Sequence, residues 1–308
     1  MREAYGAALA RLGERRSDVI VLDADLGNST KADAFGKAFP ERYIQVGIAE
    51  QNMVGIAAGL AAAGLIPIVN SFAVFAVCRA LDQIRTSVAQ PRLPVKIVGS
   101  YSGLLVSKGG CTHTAVEDLA IMRALPNLTL IAPGDGIEVA QVTELLPELD
   151  GPVYLRLSRN PVPDLMPPGY RFRPGRAVTL REGSDLAIIA TGSMTHRAMA
   201  AAEELARQSV QAQVLHLPTL KPLDAQAVLE AAARCRRVVT AEEHSVIGGL
   251  GGAVAELLSE QLPTPLIRVG IADRFGESGP DEALLAAFGV DTAGIVQGAL
   301  RALQLPTR

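Results

Sequence analysis

The chain has 308 residues, of which 49% are hydrophobic, and its formal net charge at pH 7 is -3. This is the composition of a globular protein long enough for two domains, and the charge gives no reason to expect a nucleic acid partner. Because the sequence has no signal-like N-terminus, no apolar run of membrane-spanning length and only three scattered cysteines, we expect a cytoplasmic protein with no membrane partner and no metal site.

Short apolar strands alternate with helical patterns through the first half of the chain. Strands are predicted at residues 19–22, 43–46, 66–70, 95–99, 128–132 and 153–157, and helices at 2–16, 31–38, 50–63, 74–89, 115–124 and 135–146. Such alternation is typical of a parallel sheet covered by helices on both faces. The sequence therefore predicts a first α/β domain at residues 1–160.

A proline-dense segment separates this half from a second α/β pattern. Prolines are frequent between residues 160 and 175, which argues against regular structure and predicts a linker at residues 161–178. Strands are then predicted at 186–191, 213–217, 237–241 and 265–269, and helices at 195–207, 224–234, 250–261, 281–287 and 292–304. The second three-layer domain is predicted at residues 179–308.

One carboxylate stands where a strand gives way to a helix. Glu50 follows the extended segment 43–46 and begins an Ala/Gly-rich helical pattern that is apolar on every face. An acid at a helix N-terminus is favoured by the helix dipole, which is a sufficient structural explanation. However, a buried carboxylate is costly unless it is paired, and ligands of α/β folds bind at strand ends. We therefore expect Glu50 to be buried and to face a group that can carry a proton.

Two stretches around Glu50 resemble the pyrimidine-binding domain of transketolases, which use thiamine diphosphate. They are Gly-Ile-Ala-Glu-Gln-Asn-Met at 47–53 and Asn-Ser-Phe-Ala-Val-Phe at 70–75. The resemblance implies that Glu50 hydrogen-bonds a ring nitrogen of the aminopyrimidine and favours the tautomer that deprotonates the thiazolium carbon. It also implies that Phe72 and Phe75 stack on the pyrimidine, although two aromatics at this spacing, taken alone, read as core residues.

Further site residues are implied by the same resemblance. His113, in a Gly-x-Thr-His loop followed by Glu117 and Asp118, corresponds to a histidine that contacts substrate, and it is our second catalytic candidate. Asp25 corresponds to an aspartate close to the cofactor and the subunit interface. Taken alone, His113 reads as a loop residue that caps a helix, and Asp25 as a turn residue.

The substrate end of the resemblance shows two departures. Arg159 matches the phosphate-binding arginine of the family, whereas Tyr101 and Gly109 stand where many members have a histidine and an aspartate. Taken alone, Arg159 reads as a surface residue at a strand end. Tyr101 stays among the predicted substrate-binding residues, and the departures predict a substrate whose anionic group is different or is held differently.

A diphosphate and magnesium site is not expected on this chain. Gly134-Asp135-Gly136 is similar to the first half of the magnesium motif of thiamine enzymes, but no Asn-Asn pair follows it, so Asp135 is predicted to cap a helix. The resemblance implies the β-type subunit of a split transketolase, which moves a two-carbon ketol unit from a ketose to an aldehyde. An N-terminal transketolase subunit would bind the diphosphate and Mg²⁺, in an α2β2 heterotetramer.

Two other functions stay open at this stage. The chain resembles, in domain order, the β subunit of a 2-oxo acid dehydrogenase and deoxyxylulose phosphate synthase, although the Gly-x-Thr-His and Leu-Ser-Arg signatures favour transketolase. It also fits a non-catalytic scaffold subunit that has kept the fold. The presence of Glu50 and Phe72 argues against the scaffold, because a scaffold does not need a buried acid.

Overall fold

A computed structural model describes residues 1–306 of the chain, without the side chain of Ser107. Its strands form one sheet of seven strands and one of five, and helices pack against both. The strands are β1 (Val19–Asp23), β2 (Tyr43–Gln45), β3 (Ile66–Phe72), β4 (Lys96–Ser100), β5 (Thr129–Ile131), β6 (Val153–Arg156), β7 (Val178–Arg181), β8 (Leu186–Ala190), β9 (Ala212–His216), β10 (Thr219–Lys221), β11 (Val238–Ser245) and β12 (Leu266–Ile271).

The helices alternate with these strands, as expected for an α/β fold. They are α1 (Arg2–Arg15), α2 (Gly27–Thr30), α3 (Asp33–Ala38), α4 (Glu50–Ala62), α5 (Leu81–Gln83), α6 (Asp118–Ala124), α7 (Gly136–Leu145), α8 (Met194–Arg207), α9 (Ala225–Cys235), α10 (Leu250–Gln261), α11 (Asp281–Phe288) and α12 (Thr292–Gln304). Single 3₁₀ turns lie at Pro40–Arg42, Ser107–Gly109 and Leu146–Glu148. The predicted fold class of two domains rich in parallel sheet is confirmed.

The order of the first sheet decides where a ligand can bind. Its strands run β10-β5-β6-β4-β3-β1-β2, and all neighbours are parallel except β10, which is antiparallel to β5. The carboxyl ends of β6, β4, β3, β1 and β2 therefore lie side by side along one edge of the sheet. Ligands of parallel sheets bind at this edge, which makes it the place to look for a site.

The second sheet runs β12-β11-β8-β9-β7 and is parallel except for β7, which pairs antiparallel with β9. The sequence did not indicate β7 or β10. The short β10 leaves the second half of the chain and joins the first sheet, pairing Thr219 with Ile131. The two halves are thus joined by hydrogen bonds as well as by packing.

Two predicted helices differ from the structure near the candidate site. The helix predicted at 74–89 is three pieces, with π-helical turns at Phe75–Arg79 and Ile84–Ala89 on either side of α5. Such turns are frequent at functional sites. The helix predicted at 115–124 begins only at Asp118, because residues 115–117 belong to the loop that follows β4.

Helix α4 is not buried on every face, contrary to the expectation from its composition. Glu50 and Met53 are buried, but Gln51, Gly55 and Gly59 lie on an exposed side. A Cβ added at either glycine would meet no atom of this chain within 4 Å. The exposed side is smooth and small, whereas the other side packs on the core.

The stretch Asp281–Gln304 is long and apolar enough, by length and composition, to cross a membrane, with a hydropathy of 1.5, although the sequence reading expected none. In the structure it is two helices, α11 and α12, separated by Gly289 with a φ of 66°. Helix α12 packs on α8 and β12, as a core helix of a globular domain does. The predicted cytoplasmic location stays a prediction.

The proline-dense segment lies against α7. The N–H groups of Leu165 and Met166 donate to Oδ2 of Asp135 at 2.7 and 2.9 Å, and the N–H of the buried Phe172 donates to Gln141. Asp135 also caps α7 by accepting the N–H of Glu138, as predicted. The boundaries 1–160, 161–178 and 179–308 stay predictions.

Candidate active site

The predicted site residues follow the strands whose carboxyl ends share one sheet edge. Asp25 follows β1, Glu50 follows β2, Phe72 ends β3, Tyr101 follows β4 and Arg159 follows β6. These strands are neighbours in the sheet order β6-β4-β3-β1-β2. The topology therefore gathers residues spread over more than a hundred positions of sequence.

Glu50 is completely buried at the first position of α4. Its Oε2 accepts a hydrogen bond from the Arg79 guanidinium at 2.9 Å. Its Oε1 is buried and has no hydrogen-bond partner within residues 1–306. Since a buried polar atom without a partner costs free energy, this oxygen marks a place where a hydrogen-bond donor is missing.

Arg79 links the carboxylate to the aromatic residues. Its guanidinium lies 4.8 Å from the centre of the Phe75 ring while it pairs with Glu50. Its side chain is 47% exposed, so the ion pair is open to solvent on one side. Arg79 is not among the predicted site residues, and it lies at the end of the π-helical turn Phe75–Arg79.

Three aromatic rings lie in a near-parallel row beside Glu50. The Phe72 ring is 4.1 Å from that of Tyr101 and 6.0 Å from that of Phe75, with interplanar angles of 22° and 19°. His113 meets Phe75 edge-on at 5.2 Å. The three rings form an apolar aromatic cluster of the kind that packs against an aromatic ligand.

His113 lies in the loop after β4 and is partly buried. Its Nδ1 lies 2.9 Å from the Thr112 hydroxyl. A Cβ added at Gly109 would lie 2.7 Å from Val106 Cγ1 and 2.9 Å from His113 Cβ. An aspartate does not fit at this position without displacing the loop, which gives the Gly109 departure a steric reason.

Two arginines flank Tyr101. Both guanidiniums, of Arg2 and Arg159, lie 5.6 Å from the centre of its ring, and Arg2 donates to its hydroxyl and to the carbonyl of Ser29. Sequence reasoning found Arg159 but missed Arg2, which begins α1 about a hundred residues before Tyr101. No local pattern in the sequence indicates that contact.

Asp25 lies in an exposed turn with a φ of 60° at the same sheet edge. Its N–H donates to Oε1 of Gln45 at 2.8 Å. The buried acid of this turn is Asp23, whose Oδ2 accepts from the N–H groups of Leu26 and Gly27, and burial raises its pKa. The structure therefore gives Asp25 a turn conformation, and its cofactor role stays a prediction.

Cys78 lies three residues after Phe75, in the same π-helical turn. Its Sγ donates to Oε1 of Glu117 at 3.5 Å. Burial and the charge of Glu117 raise the pKa of this thiol to about 12, so it stays protonated at neutral pH. Cys78 is therefore not a nucleophile in this site.

The arrangement provides one buried hydrogen-bond acceptor, a flat aromatic face, an imidazole and positive charge. Glu50, Phe72 and Phe75 are able to hold a protonated or protonatable heterocycle. Among the described residues, no group of three or more His, Cys, Asp or Glu residues is placed to hold a metal ion. Asp135 is occupied with backbone N–H groups instead.

Comparison with known proteins points in one direction. The sequence matches the pyrimidine-binding domain of transketolase over residues 1–164 and the transketolase C-terminal domain over residues 175–295. The first match contains all the predicted site residues.

Two relatives and one solved structure are similar over nearly the whole chain. A 6-deoxy-6-sulfo-D-fructose transketolase subunit from Clostridium sp. (strain MSTE9) is 45% identical, over 97% of this chain and 93% of the relative. A putative transketolase C-terminal section from Methanocaldococcus jannaschii is 43% identical, over 96% and 94%. A solved split gene transketolase, described as an inactive β4 tetramer, is 48% identical with a TM-score of 0.93, over 100% and 99%.

Proposed function

This chain belongs to the transketolase family, as a subunit of the split type, and we propose that it takes part in transfer of a two-carbon ketol unit from a ketose to an aldehyde acceptor. The observation that carries the proposal is the buried Oε1 of Glu50, which has no partner within the described residues. A ring nitrogen of a ligand would supply the hydrogen bond that this oxygen lacks within the described residues.

The family implies thiamine diphosphate, and the residues present fit its pyrimidine half. Glu50 Oε1 is the acceptor for a ring nitrogen, and the Phe72 and Phe75 rings provide the stacking face. When bound, this cofactor supplies the carbon nucleophile for ketol transfer. Glu50 holds the shared proton, and its burial keeps water away from that hydrogen bond. Its Oε2 stays fixed by Arg79, so the free oxygen keeps its orientation.

His113 and the arginines are proposed to serve the sugar. His113 lies at the edge of the aromatic row, and an imidazole both donates and accepts hydrogen bonds, so it moves or holds a proton at a substrate oxygen. Arg159 and Arg2 place positive charge around Tyr101, and guanidiniums pair well with phosphate and sulfonate groups. A relative named for a sulfonated ketose fits this preference. We propose a ketose with a strong terminal anion as the donor.

A partner chain is proposed for the diphosphate and Mg²⁺. The residues described here supply no metal cluster. Ile48, directly before the helix that carries Glu50, is 74% exposed, and the open side of α4 carries Gly55 and Gly59. An exposed apolar residue beside a smooth helix face is suited to close packing against another subunit. We propose an N-terminal transketolase subunit there, in an α2β2 heterotetramer.

Reconstitution tests this function. The chain is mixed with a partner subunit that carries the magnesium motif, and ketol transfer is measured with thiamine diphosphate and Mg²⁺. We expect activity only in the mixture, with a ketose and not with pyruvate as donor. Turnover of pyruvate instead would assign the chain to another thiamine enzyme. Binding of thiamine diphosphate to the mixed subunits is measured by calorimetry. A complex that assembles but does not bind it would mean that this chain is a scaffold.

A further inference from the structure

The loop between β4 and α6, residues 101–117, carries both Tyr101 and His113, and several of its other residues pack in the second domain. Leu104, Leu105 and Val116 are buried in the same apolar cluster as residues of β8, β9 and α8. They are thus separated from the cluster formed by Phe72, Tyr101 and Val106. Tyr101 and His113 of this loop therefore lie against the first domain, whereas its buried apolar residues pack in the second.

Glu243, in β11 of the second sheet, forms the polar part of this attachment. Its Oε1 accepts the N–H groups of Leu104 and Leu105 at 2.6 and 3.0 Å, and its Oε2 accepts the Ser193 hydroxyl at 2.7 Å. The side chain is buried, at 2% exposure of the residue. Both carboxylate oxygens of Glu243 therefore accept hydrogen bonds, and two of the three donors are backbone N–H groups of the loop.

The backbone of the loop packs closely against the Glu243 carboxylate. Gly103 has a φ of 75°, and a Cβ there would lie 2.3 Å from Oε1 of Glu243. Beyond it, the N–H of Ser245 donates to the carbonyl of Val116 at 2.7 Å. The second domain thus holds the loop at both ends, on either side of His113.

We propose that Glu243 is a positioning residue, through which the second domain sets the placement of Tyr101 and His113 in the first domain's site. The assignment of those two side chains to substrate rests on the proposed function. The attachment itself rests on the hydrogen bonds and the shared apolar cluster. The second domain then does more than pack and assemble, because it determines the shape of the substrate loop.

Hydrogen–deuterium exchange of the full chain tests the attachment without any cofactor or partner. In Glu243→Ala, two buried N–H groups lose their acceptor, so peptides covering residues 101–113 should exchange about tenfold faster or more. In Glu243→Gln, the amide oxygen still accepts both N–H groups and its NH₂ donates to Ser193, so protection of the loop should return. Unchanged exchange of the loop in a folded Glu243→Ala chain overturns the proposal.

Glu138→Ala is the matched control. Glu138 is likewise a fully buried carboxylate, 2.8 Å from Nε2 of His216, and its hydrogen-bond partners among the described residues, Gly134, Tyr170 and His216, lie outside the loop. It should leave the exchange of residues 101–113 as in the wild type. Equal acceleration in both variants would show general loosening and would overturn the proposal. If Glu243→Ala does not fold, Glu243→Asp replaces it, because its side chain is one methylene shorter and its oxygens no longer reach both N–H groups. The same faster exchange of residues 101–113 is then expected.

Activity of the reconstituted complex separates this inference from the proposed function. Displacement of a substrate loop should lower kcat/KM for the ketose about tenfold or more in Glu243→Ala, and Glu243→Gln should restore it. If the wild-type complex transfers no ketol unit, the proposed function fails while loop exchange still decides the role of Glu243. If loop exchange responds but kcat/KM does not, the positioning role is wrong and the function stands.

Discussion

Glu50, at the start of α4, and Glu243, in β11, are both buried carboxylates, and they differ in what their oxygens contact. Glu243 accepts from Leu104, Leu105 and Ser193, so neither of its oxygens lacks a donor. Glu50 accepts only from Arg79, and its Oε1 has no partner within the described residues. Burial alone therefore does not separate a binding acid from a structural one. Both oxygens of Glu243 therefore have donors within the described residues, whereas Oε1 of Glu50 does not, and we propose that a ligand supplies that donor.

The largest effect is expected at the unsatisfied carboxylate. Glu50→Gln keeps the shape of the side chain but cannot hold the shared proton, so turnover of the reconstituted enzyme should fall about 10²–10⁴-fold. The complex should still assemble, which sedimentation velocity would verify. Glu243→Gln is the matched control and should retain turnover, since its oxygen still accepts both N–H groups. Near-normal turnover by Glu50→Gln would remove the distinction between the two acids.

For the free energy of unfolding, the larger loss is expected at Glu243 and the smaller one at Glu50. Glu243→Ala leaves two buried N–H groups without an acceptor, at about 1–3 kcal/mol each, so the free energy of unfolding should fall by about 2–5 kcal/mol. Glu50→Ala in the isolated chain breaks only a pair with the half-exposed Arg79 and should cost about 1 kcal/mol or less. Urea unfolding of both variants measures this. Equal losses would mean that Glu50 is also a scaffold residue.

A third buried carboxylate, Glu242, should make the free energy of unfolding depend on pH. Burial raises its pKa to about 7, although the N–H groups of Leu250 and Gly251 donate to it and oppose the shift. The folded chain therefore holds this proton more tightly than the unfolded chain, whose carboxyl has a pKa of about 4.3. Stability from this group is complete below that value and is lost as the pH rises through 7.

Chemical denaturation between these pH values checks the sign. The free energy of unfolding of the wild type should fall relative to Glu242→Gln as the pH rises, by about 3 kcal/mol across the interval. A rise of wild-type stability relative to the variant over the same interval would mean that Glu242 is charged in the folded chain at every pH tested.

The smallest effect is expected at Tyr101. Tyr101→Phe keeps the ring at 4.1 Å from Phe72 but removes the hydroxyl that accepts from Arg2. Because one hydrogen bond to a charged group is lost while the stack stays, kcat/KM for the ketose should fall about 3–10-fold. Steady-state kinetics with a ketose phosphate and a ketose sulfonate measure it. A complete loss of activity would place Tyr101 in the chemistry instead of at the substrate's anion.

The sequence predicted the strands and helices that carry the site, because apolar strands and helical periodicity are local patterns. It also predicted a buried Glu50, since the residues that follow it are small and apolar. Phe72, Phe75 and Tyr101 lie together in one row, and the stacking of the two phenylalanines on a pyrimidine stays a prediction.

Long-range attachments could not be predicted from the sequence. Thr219–Lys221 has no strand pattern of its own, because its strand conformation comes from pairing with β5 across the two halves. Leu104 and Leu105 read as an ordinary apolar loop, and nothing near them shows that Glu243 accepts their N–H groups. The exposed side of α4 was also missed, because small residues suit a buried face and a face open to another subunit equally well.

The most direct test is a structure of the reconstituted complex with thiamine diphosphate and Mg²⁺. We expect Oε1 of Glu50 to lie about 2.7–3.2 Å from a pyrimidine ring nitrogen, while Oε2 keeps its contact with Arg79. A structure in which Oε1 faces bulk water, or accepts from a protein donor of the partner subunit, would contradict this expectation.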